Sequence, residues 1–108
     1  MIKVGTRLDS SCAKQFARAL ARLADDQTPF VIIDMAHTKA IDSAGFGALI
    51  AGFRKLAEAG AAAVVVCSNA NVRRLFDFAG VSRMITIVDR LSQARRLSPS
   101  TAQGALAS

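Results

Sequence analysis

Between Cys12 and Leu23 the apolar residues recur at helical intervals. Cys12, Phe16, Ala19, Leu20 and Leu23 share one side, while Lys14, Arg18 and Arg22 take the other. Leu8-Asp9-Ser10-Ser11 stands before this helix and offers carboxylate and hydroxyl caps; Asp25-Asp26-Gln27-Thr28-Pro29 ends it. The short, partly alternating stretch Ile2 to Arg7 predicts a strand ahead of it. Then the pattern changes. Phe30-Val31-Ile32-Ile33-Asp34-Met35 is a nearly continuous, β-branched apolar run, which predicts a strand buried on both faces. After the polar loop Ala36-His37-Thr38-Lys39, Ala40-Ile41-Asp42 leads into a second helix, Ser43 to Ala59. Its inward stripe is read as Phe46, Leu49, Ile50, Phe53, Leu56 and Ala57, with Gly60 as C-terminal cap. Ala61 to Cys67 predicts another buried strand. Ser68-Asn69 opens a third helix with Val72, Leu75, Phe76 and Ala79 inward and Gly80 at its end. Met84 to Val88 predicts the last strand, and Asp89 caps a final helix carrying Leu91, Ala94 and Leu97.

Alternating strands and helices of this kind specify an α/β fold in a single domain over residues 1–97. The expected architecture is a central mixed β-sheet of about four strands packed with about four helices. From Ser98 onward, Ser-Pro-Ser-Thr-Ala-Gln-Gly reads as a flexible C-terminal tail, 98–108.

Composition narrows the function. A hydrophobic fraction of 52% and a charged fraction of 20% belong to a folded globular chain. The longest apolar run, Ala44 to Phe53, is half the roughly 20 residues a bilayer-spanning helix needs. No leader-like apolar stretch follows Met1, so a cytoplasmic location is expected. Cys12 and Cys67 have no CxxC spacing, which points to reduced thiols rather than a disulfide or a metal site. The net charge of +6 raises nucleic-acid binding. Its carriers, among them Arg18, Arg22, Arg54, Lys55, Arg73, Arg74, Arg90, Arg95 and Arg96, are instead dispersed over every helix without interleaved aromatic residues. Solvated helix faces and an acidic protein partner suit that distribution better.

Catalysis finds little support. The lone histidine, His37, lies in a loop, and there is no HExxH, GxSxG or P-loop spacing. No enzyme activity, cofactor or metal is expected. The unusual segment is Ala40 to Gly47, where Gly45 and Gly47, with Gly52 further on, interrupt a core helix at about 1 kcal/mol each relative to alanine. Tight helix packing is one reading, with Asp42 or Ser43 only a cap. The other is that Ser43 presents a hydroxyl at an exposed helix N-terminus, beside glycines that leave room for a partner. A phosphate there is compatible with the helix dipole but hostile to an apolar or acidic partner surface.

At these residues the chain resembles the STAS family (sulphate transporter and anti-sigma factor antagonist domains). Four segments match in order: Gly5-Thr6-Arg7-Leu8-Asp9, Val31-Ile32-Ile33-Asp34, Ile41 to Gly47, and Val65-Val66-Cys67 with Val72 to Gly80. The resemblance implies phosphorylation at Ser43 and a partner-binding surface of Asp9, Asp34, Asp42, Ser43, Ala44, Gly45, Phe46 and Gly47. It implies an anti-sigma factor that is also a serine kinase of the histidine-kinase-like ATPase type, and a PP2C-type phosphatase that resets the switch. The unphosphorylated antagonist would hold the anti-sigma factor and free the sigma factor. Ala44 replaces a frequent second serine, and Phe46 stands where leucine is usual. Only Met1 to Val4 precede Gly5, where the family places a strand pair, so an open sheet edge or a weak homodimer is expected. Two alternatives remain: a STAS subunit of a membrane transport complex without a phosphoswitch, and a nucleotide-binding module using the loops around Asp9, Asp34 and Ser43.

Overall fold

A computed structural model describes residues 1–78, 80 and 85–97. Its elements are β1 (Ile2–Lys3), β2 (Arg7–Leu8), α1 (Ala13–Asp25), β3 (Phe30–Asp34), β4 (Ala40–Ile41), α2 (Ser43–Glu58), β5 (Ala62–Val66), α3 (Ala70–Phe78), β6 (Thr86–Val88) and α4 (Leu91–Arg95). A four-stranded sheet runs in the order β1-β3-β5-β6, and β2 pairs with β4 in a separate two-stranded ribbon. The sheet read from sequence as mixed is parallel in every described pair. A helix lies between each pair of successive strands of the four-stranded sheet, and such a connection returns the chain to run in the same direction.

Because the strands advance one way across the sheet, right-handed connections place α1, α2 and α3 on the same face. That face holds the main core: Phe16 and Leu20 of α1, Leu49, Phe53 and Leu56 of α2, and Val72 and Phe76 of α3 meet Val31, Ile33, Ala63 and Val65. The other face is covered by α4, with Ala94 against Ala62, Val64 and Val66. The central strand β5 is buried throughout. In β3 only alternate apolar residues are buried; Phe30 and Ile32 remain half-exposed, because the short α4 does not cover the whole far face.

Several sequence expectations change in detail. Ile2 to Arg7 is not one strand but two, β1 and β2, in different sheets. Cys12, with no capping side chain, begins α1; Asp9 acts one turn earlier, its carbonyl accepting from Cys12 and Ala13 N–H. In α2 the buried line is Gly45, Leu49, Gly52, Phe53 and Leu56, while Phe46 and Ile50 lie at its margin and Ala57 is exposed. Gly52 turns that face inward: a Cβ there would collide with Leu20 of α1. In α3, Leu75 is 42% exposed; Val72 and Phe76, one turn apart, take the core contact and leave Leu75 about 100° round the helix. Asp89 does not cap α4. It pairs with Arg73 of α3, and the Gln93 side chain accepts from Asp89 and Arg90 N–H. Gly60 (φ +78°) and Gly80 (φ +72°) end α2 and α3 in the left-handed conformation, as read from the sequence. The assignments of Ala79, Met84 and the tail lie outside the described residues.

Candidate functional site

The site is assembled at one end of the β2–β4 ribbon, where Arg7 lies opposite Ala40 and Leu8 opposite Ile41. Thr38, fully buried, donates its hydroxyl to the Gly5 carbonyl at 2.8 Å, and Lys39 N–H donates to Thr6 at 2.8 Å. These bonds hold the β3–β4 loop against the chain leading into β2. The pairing ends with Asp42 N–H on the Leu8 carbonyl at 3.2 Å. There the backbone is still extended, φ −91° and ψ 179°, and the next residue is already helical.

Asp42 joins three segments through one carboxylate. Its Oδ1 accepts from Gly45 N–H at 2.8 Å, capping α2, and its Oδ2 accepts from Ser10 N–H at 3.2 Å in the β2–α1 loop. Gly45 is buried, and a Cβ on it would lie within 2.6 Å of the Leu8 carbonyl carbon. Packing is therefore the reason for glycine at 45 and 52. Gly47 differs: it is exposed and a Cβ there would meet nothing within 4 Å. Of the three glycines, this one leaves open surface beside Ser43.

Ser43, the first residue of α2, is exposed together with Asp42, Ala44 and Gly47; Phe46 is half-buried. The Ser43 hydroxyl makes no hydrogen bond among the described residues. Gly45 N–H is taken by the cap and Phe46 N–H by the Asp42 carbonyl at 2.9 Å, and among the described residues nothing accepts from Ser43 and Ala44 N–H, which leaves them to an outside acceptor.

Next to it is a shallow cleft of about 280 Å³ lined by Arg7, Asp9, Ala40, Ile41 and Asp42. Asp9 accepts from the Ser11 hydroxyl and, at 3.0 Å, from Ser11 N–H. Those bonds, with a smaller contribution from the nearby Arg7 charge, lower its pKa below the usual 3.8. The structure thus gathers Asp9 and Asp42 at one cleft, with Ser43 to Gly47 running on from Asp42. It does not bring Asp34 to them through any described contact. Asp34 is 7% exposed at the end of β3, where its side chain accepts from Ala36 N–H at 3.0 Å and its carbonyl from Val4 N–H at 2.8 Å. Sequence reading missed Arg7, Ser10 and Thr38. The Asp9–Ser11 spacing of an Asx turn was a usable signal for the loop; nothing local marks Thr38, whose partner is distant in sequence. No helix among the described residues is long and apolar enough to cross a membrane.

The family model of the STAS domain matches residues 1–94. No curated protein sequence matches the chain. Among solved structures, that of the anti-sigma factor antagonist SpoIIAA in its unphosphorylated form is similar at TM-score 0.69 and 15% identity, over 87% of this chain and 82% of that one. An anti-sigma factor antagonist from Mycobacterium paratuberculosis is similar at TM-score 0.74 and 22% identity, over 87% of this chain and 80% of that one.

Proposed function

Because the chain belongs to the STAS domain family, we propose that it acts as an anti-sigma factor antagonist, a cytoplasmic regulator of transcription switched by phosphorylation of Ser43. The observation that carries this reading is the state of Ser43: an exposed hydroxyl at the first position of α2, beside two backbone N–H groups, all three unbonded among the described residues. A kinase can reach it without unfolding anything. Once added, a phosphate carries about −1.5 to −2 charge into a helix N-terminus that favours anions by about 0.3–1 kcal/mol. Asp42 opposes part of that gain, but its carboxylate is already committed to Gly45 and Ser10 N–H.

The partner surface in this reading is Asp42, Ser43, Ala44, Phe46 and Gly47, with Asp9 across the cleft. Exposed Ala44 and Gly47 give it little relief, so a partner can approach the α2 backbone closely. Unphosphorylated protein binds an anti-sigma factor that is also a serine kinase of the histidine-kinase-like ATPase type, and phosphorylation ends that binding. A PP2C-type phosphatase restores it. The SpoIIAA structure is described as that protein's unphosphorylated form, which agrees with a phosphate-controlled antagonist.

The test is incubation of the chain with its cognate kinase-type ATPase and ATP, followed by peptide mapping of the phosphate. A single phosphate on Ser43, absent from Ser43→Ala, is the expected result. Phosphate elsewhere, or none, removes the basis for the switch.

A further inference from the structure

Among the described residues, the sheet has an open edge at β1. Val4 N–H donates to the Asp34 carbonyl, and Ile2 and Lys3 lie opposite Ile33 and Asp34. In a parallel ladder, residues alternate in the side to which they turn both backbone groups. Val4 and Ile2 therefore turn theirs to β3, and Lys3 turns its N–H and C=O outward, away from the sheet.

Side chains alternate as well. Ile2 and Val4 pack with the main core on the α1 face, which leaves the Lys3 side chain exposed on the opposite face. On the α1 side, the open edge is flanked by two recesses that share Ile2. One, about 230 Å³, lies among Val4, Cys12 and Phe16, with Arg7 but no carboxylate in its wall. The other, about 240 Å³, lies against Ala19 and Leu23, with Arg22 and Asp26 at its rim. Cys12, Phe16, Ala19 and Leu23 follow one another at helical spacing, so the two recesses lie along a single stripe of α1.

We propose that the β1 edge and the α1 stripe beside it bind an extended, acidic segment of a partner protein by strand addition. The Lys3 backbone pairs with the incoming strand. Alternate apolar side chains of that strand enter the two recesses, and the intervening carboxylates lie on the Lys3 face. Charge chooses the occupant. A second copy pairing through its own β1 would set Lys3 beside Lys3, and like charges on neighbouring strands destabilise a pair. The chain's overall charge of +6 opposes self-association in the same sense.

The experiment uses the full chain, isotope-labelled, titrated with two capped hexapeptides, one alternating valine and glutamate and the other valine and lysine. The valine–glutamate peptide is expected to shift the amides of residues 2–5 and of α1, and to slow exchange at Lys3 N–H. The lysine peptide is expected to bind at least about tenfold more weakly. Lys3→Pro removes only the outward-facing N–H and leaves the β3 ladder its donors, so it should fold with an unchanged Tm and lose about tenfold in peptide affinity. Lys3→Glu keeps the N–H and should reverse the preference between the peptides. Absence of binding at this edge, or binding that Lys3→Pro leaves intact, overturns the proposal. So does a dimer whose concentration-dependent shifts map to residues 2–4, because the second copy would then be the occupant.

Discussion

The carbonyl of Leu8 occupies the space where a Cβ of residue 45 would be. The helix that bears Ser43 therefore rests directly on β2 backbone, and its first turn is positioned by contact as well as by its cap. Gly45→Ala must push α2 and β2 apart, a strain of about 1–3 kcal/mol that outweighs the helix-propensity gain of about 1 kcal/mol. Gly47→Ala meets open space and should be neutral or stabilising by up to about 1 kcal/mol. Urea unfolding of the two variants compares them directly. Equal effects would mean that the close approach to Leu8 does not constrain the helix.

Asp42 is expected to matter for stability more than its exposure suggests. Asp42→Ala removes acceptors from both Gly45 and Ser10 N–H, so the loss should be about 1–2 kcal/mol. Asp42→Asn keeps an acceptor oxygen for Gly45 and should lose less. The check is the order of the unfolding midpoints: wild type, then Asn, then Ala.

How far the sequence led is clear at particular residues. Gly60 and Gly80 announced two helix ends, because a left-handed cap leaves a glycine in place. The run Ala61 to Cys67 announced a buried strand, because burial on both faces tolerates apolar residues in unbroken succession, and Ala62–Val66 is buried throughout. At 42–45 the cap Asp42 was legible in part, as one of two residues able to serve, and the structure chose it by its bond to Gly45. What stayed hidden depends on partners far along the chain. The two-residue strands β2 and β4 carry no periodicity, and Thr38 is explained only by Gly5, a distant residue. Leu75 differs for another reason: helical spacing allows it an inward place, but α3 is turned so that Val72 and Phe76 are buried and Leu75 is exposed.

Asp9 gives a pH signature. Its bonds from Ser11, chiefly, hold its pKa below 3.8, so the carboxylate is favoured in the folded state. A depressed folded value stabilises the fold at pH above the unfolded pKa, and that contribution disappears as pH falls through the lower folded value. Ser11→Ala should raise the Asp9 pKa toward 3.8 in a carboxyl NMR titration. It should lower stability at neutral pH and make no difference once Asp9 is protonated in both proteins. A pKa unchanged by the substitution would show that the Ser11 hydroxyl bond is not its main cause.

The decisive variants concern Ser43. Its hydroxyl makes no bond among the described residues, so Ser43→Ala should match the wild type in Tm. It should keep partner binding and resist phosphorylation, behaving as permanently active. Ser43→Asp places a carboxylate at a helix N-terminus, which the dipole favours, so it too should fold normally. The neighbouring Asp42 charge offsets some of that benefit, and no gain in Tm is expected. Against the kinase partner, however, Ser43→Asp should bind at least about tenfold more weakly, equivalent to about 1.4 kcal/mol, because the charge must be desolvated in the interface. Phosphorylated protein should bind more weakly still, since phosphate carries nearly twice the charge and a third oxygen. Calorimetry of the four forms against the cognate kinase, with a melting curve for each, separates folding from binding. If phosphorylated and unmodified protein bind equally well while all four melt alike, Ser43 serves only as the first residue of α2 and the switch lies elsewhere.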